Sequence, residues 1–122
     1  MATRTVPDAP EARAKVTGIR MSPRKVRIVV DLVRRKPVGE ALAILRNTPK
    51  RASKVVEKLI LSAMANAENN HDMAARDLYV HAIWADGGPT LKRVHFRSRG
   101  QVFQILKRTS HITVVLRERH AR

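Results

Sequence analysis

The segment LKRVHFRSRGQVFQILKRTSH, residues 91–111, is strongly basic and contains no Asp or Glu. No acid occurs anywhere in residues 87–117, whereas seven Lys or Arg do. Gly100, near the middle, supplies the positive φ that a tight reversal needs. The residues before it alternate with the period of two of a strand, so one face would carry Arg93, His95, Arg97 and Arg99. The pattern predicts a β-hairpin.

The predicted hairpin, about residues 90–109, is long for the protein that carries it. Arms of about ten residues would reach roughly 30 Å, whereas a body of this size has a radius of gyration of about 13 Å. The apolar residues of the hairpin are too thinly spread to close a core. Because an isolated two-stranded ribbon is marginally stable in water, we expect this one to become ordered against an anionic partner.

Segments with the pattern of strands flank the hairpin. The alternating apolar positions are Leu78, Val80, Ala82 and Trp84 before it, and Ile112, Val114 and Leu116 after it. The sequence DGGP, residues 86–89, is expected to break or bend the first of these strands. Residues 14–20, AKVTGIR, form another short strand candidate.

Three helices are predicted between residues 22 and 69. Ser22 followed by Pro23 is a typical helix start, and Pro37 closes this first helix. Thr48 followed by Pro49 repeats the start signal before the longest helix, about residues 50–69, which AENNHDM ends. The predicted buried positions are Val26, Val29, Val30 and Val33, then Val38, Ala41, Leu42 and Leu45, then Ala52, Val55, Val56, Leu59, Ile60, Ala63 and Ala67.

Helices that precede most of the strands indicate an α+β fold and not a parallel α/β sheet. With 122 residues, the chain is expected to form one domain, residues 12–119. Residues 1–11, with Pro7 and Pro10, are predicted to be a flexible arm, and residues 120–122 a basic tail. The start lacks the apolar region of a signal peptide and no apolar run approaches the roughly 18 residues of a spanning helix, so we expect a soluble intracellular protein.

The charge of the chain points to a polyanionic partner. Its 25 Lys and Arg against 10 acids give a formal net charge of +15, and self-repulsion at that density is relieved by a polyanion. Nucleic acid is the leading candidate, because neutralising phosphates releases condensed counterions. An anionic membrane surface is a weaker one, since the cations do not gather on an aromatic-anchored helix.

The sequence offers little support for catalysis or metal binding. There is no cysteine, which excludes disulfides, thiolate metal sites and Cys nucleophiles. No two of the five histidines have the spacing of a helical metal site. His71, Asp72 and Asp86 fit turn and cap positions better than acid–base roles. Gly87-Gly88-Pro89 lacks the Lys and the helix of a phosphate loop, so we expect a protein that is not an enzyme and needs no cofactor or metal.

Several basic groups are candidates for contacts with nucleic acid. Three cations in the first turns of helix 1 oppose its dipole and would be poorly placed without an anion. Lys54 and Lys58 are as consistent with a solvated face, because Glu57 lies between them, and Phe96 and Phe103 could either stack on bases or grip each other. The candidate RNA-binding residues are Arg20, Arg24, Lys25, Arg27, Lys92, Arg93, His95, Arg97, Arg99, Lys107, Arg108, Thr109, Ser110 and His111. For Thr109 and Ser110 the alternative is ordinary strand capping.

Five motifs resemble the family of large-ribosomal-subunit protein twenty-two. They are SPRKVRIVVDLVR, ANAENNHDM, GPTLKR, RSRG and, most specific, KRTSHITVV, and the resemblance covers residues 14–118. It implies three helices packed on a small three-stranded antiparallel sheet. It also implies a long hairpin that threads ribosomal RNA and lines the nascent-peptide exit tunnel, with a tip of Phe96, Arg97, Ser98, Arg99 and Gly100.

The resemblance further implies a set of partners and a location. The partners are large-subunit ribosomal RNA, bound early in assembly, neighbouring ribosomal proteins and the nascent polypeptide, and macrolides would bind nearby in the tunnel. The location is the cytoplasmic ribosome, with an organelle ribosome as the alternative. The chain departs from the family at Phe96 and Ser98, where proline and alanine are common, and at Gln101 and Leu106, where basic residues are usual.

Two other classes of function would leave different signatures. An architectural DNA-binding protein with basic β-arms usually pairs them across a dimer and places an apolar wedge, often proline, at a kink. No proline follows Pro89 here, although Phe96 could serve as a wedge. An RNA-cleaving or RNA-modifying enzyme would need a base and an electrophilic stabiliser in one pocket, with His95 or His111 as the first residues to test.

Overall fold

A computed structural model describes residues 11–96, 100 and 102–119. The predicted arm and tail therefore fall outside the described residues, except for Glu11, which is the first residue of a strand. A single 3-10 turn, Ala75–Asp77, follows the last helix. The elements are β1 (Glu11–Ile19), α1 (Pro23–Val33), α2 (Val38–Asn47), α3 (Arg51–His71), β2 (Leu78–Gly87), β3 (Leu91–Phe96), β4 (Val102–Lys107) and β5 (Ser110–Glu118).

The strands form two separate antiparallel sheets. One has three strands in the order β1-β5-β2, and the other is the hairpin of β3 and β4. The α+β fold with three helices, a small three-stranded sheet and a hairpin is thus confirmed. Strand β1 begins three residues before the predicted start, because Glu11 lies opposite Arg117 and its carboxylate accepts hydrogen bonds from that guanidinium.

The helices bury the predicted apolar stripes against the sheet. All four valines of α1 and the four stripe residues of α2 are buried. In α3 every predicted stripe residue is buried except Val55, which is half-buried, and Ser53 is buried in addition. The core is aliphatic throughout, as expected for a chain with four aromatic residues.

The two predicted helix starts have different outcomes. Ser22 caps α1, and its hydroxyl oxygen accepts a hydrogen bond from the Lys25 N–H at 3.4 Å. The Thr48 prediction is wrong, because its hydroxyl donates to the Ile44 carbonyl at 2.7 Å and so closes α2. The residue before a proline is held in an extended conformation, and the N-cap of α3 is Lys50.

The alternation predicted for β2 holds only as far as Val80. Val80 lies opposite Leu116 and Ala82 opposite Val115, so His81 is an extra residue in the strand, a β-bulge. A one-residue shift exchanges the two faces of a strand. Beyond the bulge, Ile83 and Ala85 are therefore buried and Trp84, predicted to be inward, is exposed.

The hairpin is confirmed as an antiparallel ladder, and Gly100 has φ of +74°. The ladder runs from the pair Leu91 and Lys107 to the pair Phe96 and Val102. The six ladder residues of each arm that the structure describes span about 20 Å. The ladder is interrupted below Leu91 because the Pro89 carbonyl accepts a hydrogen bond from the Thr109 hydroxyl at 2.6 Å instead of from a backbone amide.

The bulge residue His81 makes the stability of the fold depend on pH. Its Nδ1 lies 3.2 Å from an Arg35 Nη1, which can only donate, so the ring must be neutral to accept. Burial first, then the charges of Arg117 and Arg35, lower the pKa of His81 below its ordinary value of 6.5. The unfolded chain then binds this proton more readily than the folded one.

We expect the free energy of unfolding to be highest above about pH 6.5 and to fall as the pH drops from there toward the folded-state pKa of His81. The check is chemical denaturation between pH 7.5 and 5.5. His81→Gln should flatten this part of the profile, and His71→Gln, at the exposed end of α3, should leave it as in the wild type. An unchanged slope in His81→Gln would contradict the assignment.

Candidate nucleic-acid interface

An open basic cleft of about 990 Å³ lies where the hairpin meets the helical body. Three segments that are distant in sequence form it: the β1–α1 connection with the first half of α1, the start of α3, and the end of β4 with Arg108. Its lining includes six cations and no acid, namely Arg20, Lys25, Lys50, Arg51, Lys107 and Arg108. We call this site the basic cleft.

Two helix N-termini open onto the basic cleft. Ser22 and Lys25 of α1, and Lys50 and Arg51 of α3, are lining residues, and neither helix has an acid in its first turn. The N-terminus of a helix carries a partial positive charge from its unpaired N–H groups. Cations there add to that charge, so the cleft is built for an anion.

The cations of the basic cleft are not neutralised within the part of the chain that the structure describes. All six are exposed, and none makes an ion pair there. The arginines that do pair lie elsewhere: Arg13 and Arg117 with Glu11, Arg34 with Asp31, and Arg46 with Glu57. Glu57 thus pairs with Arg46 and not with the neighbouring Lys54 or Lys58.

Arg27, one of the predicted RNA contacts, is exposed and also donates to the edge strand of the sheet. Its Nε and Nη2 donate to the Ala85 carbonyl at 3.2 and 3.0 Å. Arg34 Nη2 donates to the Ile83 carbonyl at 3.0 Å. Because β2 is an edge strand, these contacts cover carbonyls that could otherwise pair with another strand. Part of the positive charge of α1 is therefore structural.

Three other predicted cations lie outside the lining of the basic cleft. Arg24, Lys92 and Arg93 are exposed. Lys92 pairs in register with Leu106, a lining residue, so the two share one face of the hairpin. Arg93 Nη1 donates to the Lys92 carbonyl at 3.0 Å.

Thr109, Ser110 and His111, also predicted RNA contacts, anchor the base of the hairpin. The buried Ser110 hydroxyl donates to the Met21 carbonyl at 2.6 Å, and Thr109 donates to Pro89. The His111 Nδ1 accepts from the Gly18 N–H at 3.2 Å. Both hydroxyl groups thus donate their hydrogen bonds within the protein, which favours the capping alternative for Thr109 and Ser110.

The tip lies mostly outside the described residues. Arg97, Ser98, Arg99 and Gln101 are not described, and for His95 and Phe96 only the backbone is. The register pairs Phe96 with Val102 and Phe103 with His95. The two phenylalanines are therefore not cross-strand partners in the ladder.

Lys50 and Arg51 are the lining cations that the sequence-based prediction missed. The signal was present, because both residues come just before or at the start of a helix that has no acid in its first turn. The same reasoning had selected Lys25 in α1. This signal was missed because Thr48 was predicted to be the N-cap of the helix, two residues before the observed N-cap Lys50.

Comparison with known proteins identifies the family. A family model described as Ribosomal protein L22p/L17e matches residues 14–117. The chain belongs to this family. It is 57% identical over 109 residues to the large ribosomal subunit protein uL22 of Halothermothrix orenii, across 89% of this chain and 96% of that protein. It is 56% identical over 118 residues to the uL22 of Caldicellulosiruptor saccharolyticus, across 97% of both chains.

Membership of the L22p/L17e family confirms the resemblance seen in the sequence. The uL22 of Carboxydothermus hydrogenoformans is 59% identical over 109 residues, across 89% of this chain and 96% of that protein. The chain is accordingly a structural protein of the large ribosomal subunit, it serves translation and not an enzymatic reaction, and its location is the ribosome.

The described residues contain neither a membrane-spanning helix nor a cluster of metal-binding side chains. No helix there is long and apolar enough to cross a bilayer. No group of three or more His, Cys, Asp or Glu side chains there is arranged to hold a metal ion.

Proposed function

We propose that this chain binds large-subunit ribosomal RNA through the basic cleft and extends its hairpin along the wall of the nascent-peptide exit tunnel. The observation that carries the proposal is the cleft, which six cations from three segments line, with no acid among the lining residues. RNA presents phosphates at short intervals. Their neutralisation by Lys and Arg releases condensed counterions, which is the main source of affinity for such a surface.

The two parts of the molecule would then act differently. The body is a packed core whose elements bring the segments that carry the cleft cations together. The hairpin pairs with no strand of the body, and its direction is set by the hydrogen bonds of Thr109 and Ser110 at its base. RNA bound at the cleft would fix the body, and the hairpin would reach from there toward the nascent polypeptide and neighbouring ribosomal proteins.

Binding measurements on the purified full chain test the RNA half of the proposal. The dissociation constant is measured against large-subunit ribosomal RNA and against duplex DNA at matched salt, over a series of KCl concentrations. We expect tighter binding to the RNA, with a steep loss of affinity as salt increases. Equal or tighter binding to duplex DNA would reject the proposal in favour of an architectural DNA-binding protein.

A cysteine placed at the predicted tip tests the tunnel half. The chain has no cysteine of its own, so Ser98→Cys introduces a single reactive group, and Ser62→Cys on the exposed side of α3 is the control. In ribosomes that carry a stalled nascent chain with one cysteine, a short thiol cross-linker should join Ser98→Cys to that chain and leave Ser62→Cys unreacted. Cross-linking from both or neither would refute the hairpin placement.

A further inference from the structure

The lining of the basic cleft has an apolar part, which we call the floor, and a cationic part, which we call the rim. Ile28 of α1 and Leu106 of β4 are lining residues that remain 51% and 46% exposed. Met21 and Ala52 complete the apolar part of the lining. Single exposed apolar side chains are common on protein surfaces, but here two large ones from different elements meet in the same cleft as six cations.

A duplex backbone by itself would leave this floor without a partner. Phosphates and riboses are satisfied by the cations of the rim, and they gain nothing from aliphatic side chains. An unpaired base has a large apolar face, and proteins commonly hold an extruded base between aromatic or apolar side chains. The cleft volume of about 990 Å³ is at the upper end of the range for small-ligand sites, about 300–1,000 Å³.

We propose that the basic cleft holds an unpaired nucleotide of the RNA, with the base against Ile28 and Leu106 and the flanking phosphates on the cationic rim. The proposal rests on the proposed RNA-binding function and narrows its ligand to a splayed, single-stranded nucleotide. Lys25 and Lys50, at the two helix N-termini, are placed to hold the phosphates. Charge complementarity favours RNA, because the lining of the cleft offers cations and no acid.

The test separates contact with the base from contact with the phosphates. The variant Ile28→Ser with Leu106→Thr removes the apolar floor and keeps every cation. We expect its dissociation constant for large-subunit ribosomal RNA to rise about fifteenfold, roughly fourfold for each lost apolar contact. The slope of log K against log salt should stay unchanged, since no phosphate contact is lost. Lys50→Ala should instead lower the steepness of that slope by about one unit.

Chemical probing of the bound RNA supplies a readout that a merely structural change would not move. The wild type should shield the base edge of one or a few unpaired nucleotides from dimethyl sulfate, and the floor variant should restore their reactivity. Leu61→Ser, on α3 and 41% exposed outside the cleft lining, is the matched control and should behave as the wild type. Ile28→Leu, which keeps an apolar side chain at this position, should bind the RNA as the wild type does. Circular dichroism with thermal melting confirms that each variant is folded.

Each contrary result has a separate meaning. The floor variant could bind normally and shield the same bases while Lys50→Ala lowers the slope. In that case the cleft contacts only the RNA backbone, so the unpaired-nucleotide proposal is wrong and the proposed RNA-binding function stands. If the wild type shows no salt-dependent binding to the RNA, the proposed function fails with it. If the floor variant loses a neighbouring protein from the assembled large subunit and leaves RNA reactivity unchanged, the occupant is a protein segment and the proposal is overturned.

Discussion

Replacing Lys25, Lys50 and Arg51 with alanine is expected to weaken binding to large-subunit ribosomal RNA roughly a hundredfold at about 0.15 M salt. Each phosphate contact contributes roughly fourfold to fivefold at that concentration, because log K changes by about 0.7–0.9 for each neutralised phosphate and each tenfold change in salt. The slope of log K against log salt should accordingly become shallower by about 2 to 3. All three residues are exposed lining residues of the basic cleft.

The same substitutions should leave the free protein folded and slightly more stable. Cations at a helix N-terminus oppose the helix dipole by about 0.3–1 kcal/mol each, and the three residues surround the starts of α1 and α3. The melting temperature should therefore hold or rise while RNA affinity falls. Loss of function that accompanies a gain in stability is difficult to explain by misfolding.

A matched control separates the cleft from net charge. The variant Lys36→Ala, Lys58→Ala and Arg76→Ala removes the same charge from exposed positions that do not line the cleft. Its affinity should stay within about threefold of the wild type, since charges separated by more than a Debye length of about 8–10 Å are largely screened. If both triple variants lost affinity equally, the protein would bind RNA through its overall charge and the basic cleft would have no special role.

Gly88→Ala is expected to destabilise the base of the hairpin by about 3 kcal/mol. An added Cβ would lie 2.5 Å from the Thr109 hydroxyl oxygen and 3.1 Å from two atoms of the His111 ring. Thr109 cannot move without losing its hydrogen bond to the Pro89 carbonyl, and His111 holds the Gly18 amide. Overpacking of about 1–3 kcal/mol adds to about 1 kcal/mol for a lost hydrogen bond.

Thermal unfolding measures this effect, and Gly39→Ala is its control. We expect the melting temperature of Gly88→Ala to fall by roughly 10 °C. Gly39 lies in α2 with nothing within 4 Å of an added Cβ, so Gly39→Ala should be neutral or stabilising by up to about 1 kcal/mol. Combining Gly88→Ala with Thr109→Ala should cost less than the sum of the two single changes, because the second removes the clash. Additive costs would disprove the steric explanation.

The sequence by itself determined the parts of this protein whose signals are local. The valine stripe and the Ser22 cap of α1 follow from helix periodicity and the chemistry of unpaired N–H groups, and both lie within one element. The hairpin follows from alternation and from Gly100, and the acid-free basic segment already pointed to a polyanion. The motifs between residues 14 and 118 indicated the family from the sequence alone, because several motifs that occur in the same order as in the family are a specific signal.

Tertiary structure decided everything that depends on residues distant in sequence. The bulge at His81 exchanged the faces of Ile83 and Trp84, and alternation alone does not show where a ladder gains a residue. The Arg27 guanidinium donates hydrogen bonds to the Ala85 carbonyl at the sheet edge, and this contact depends on how α1 packs beside β2.

The basic cleft itself exists only because folding brings three segments of the chain together. The sequence shows how many cations there are. Only the folded chain shows which of them have a partner in the protein and which are left for RNA, because each pairing is made across space and not along the chain.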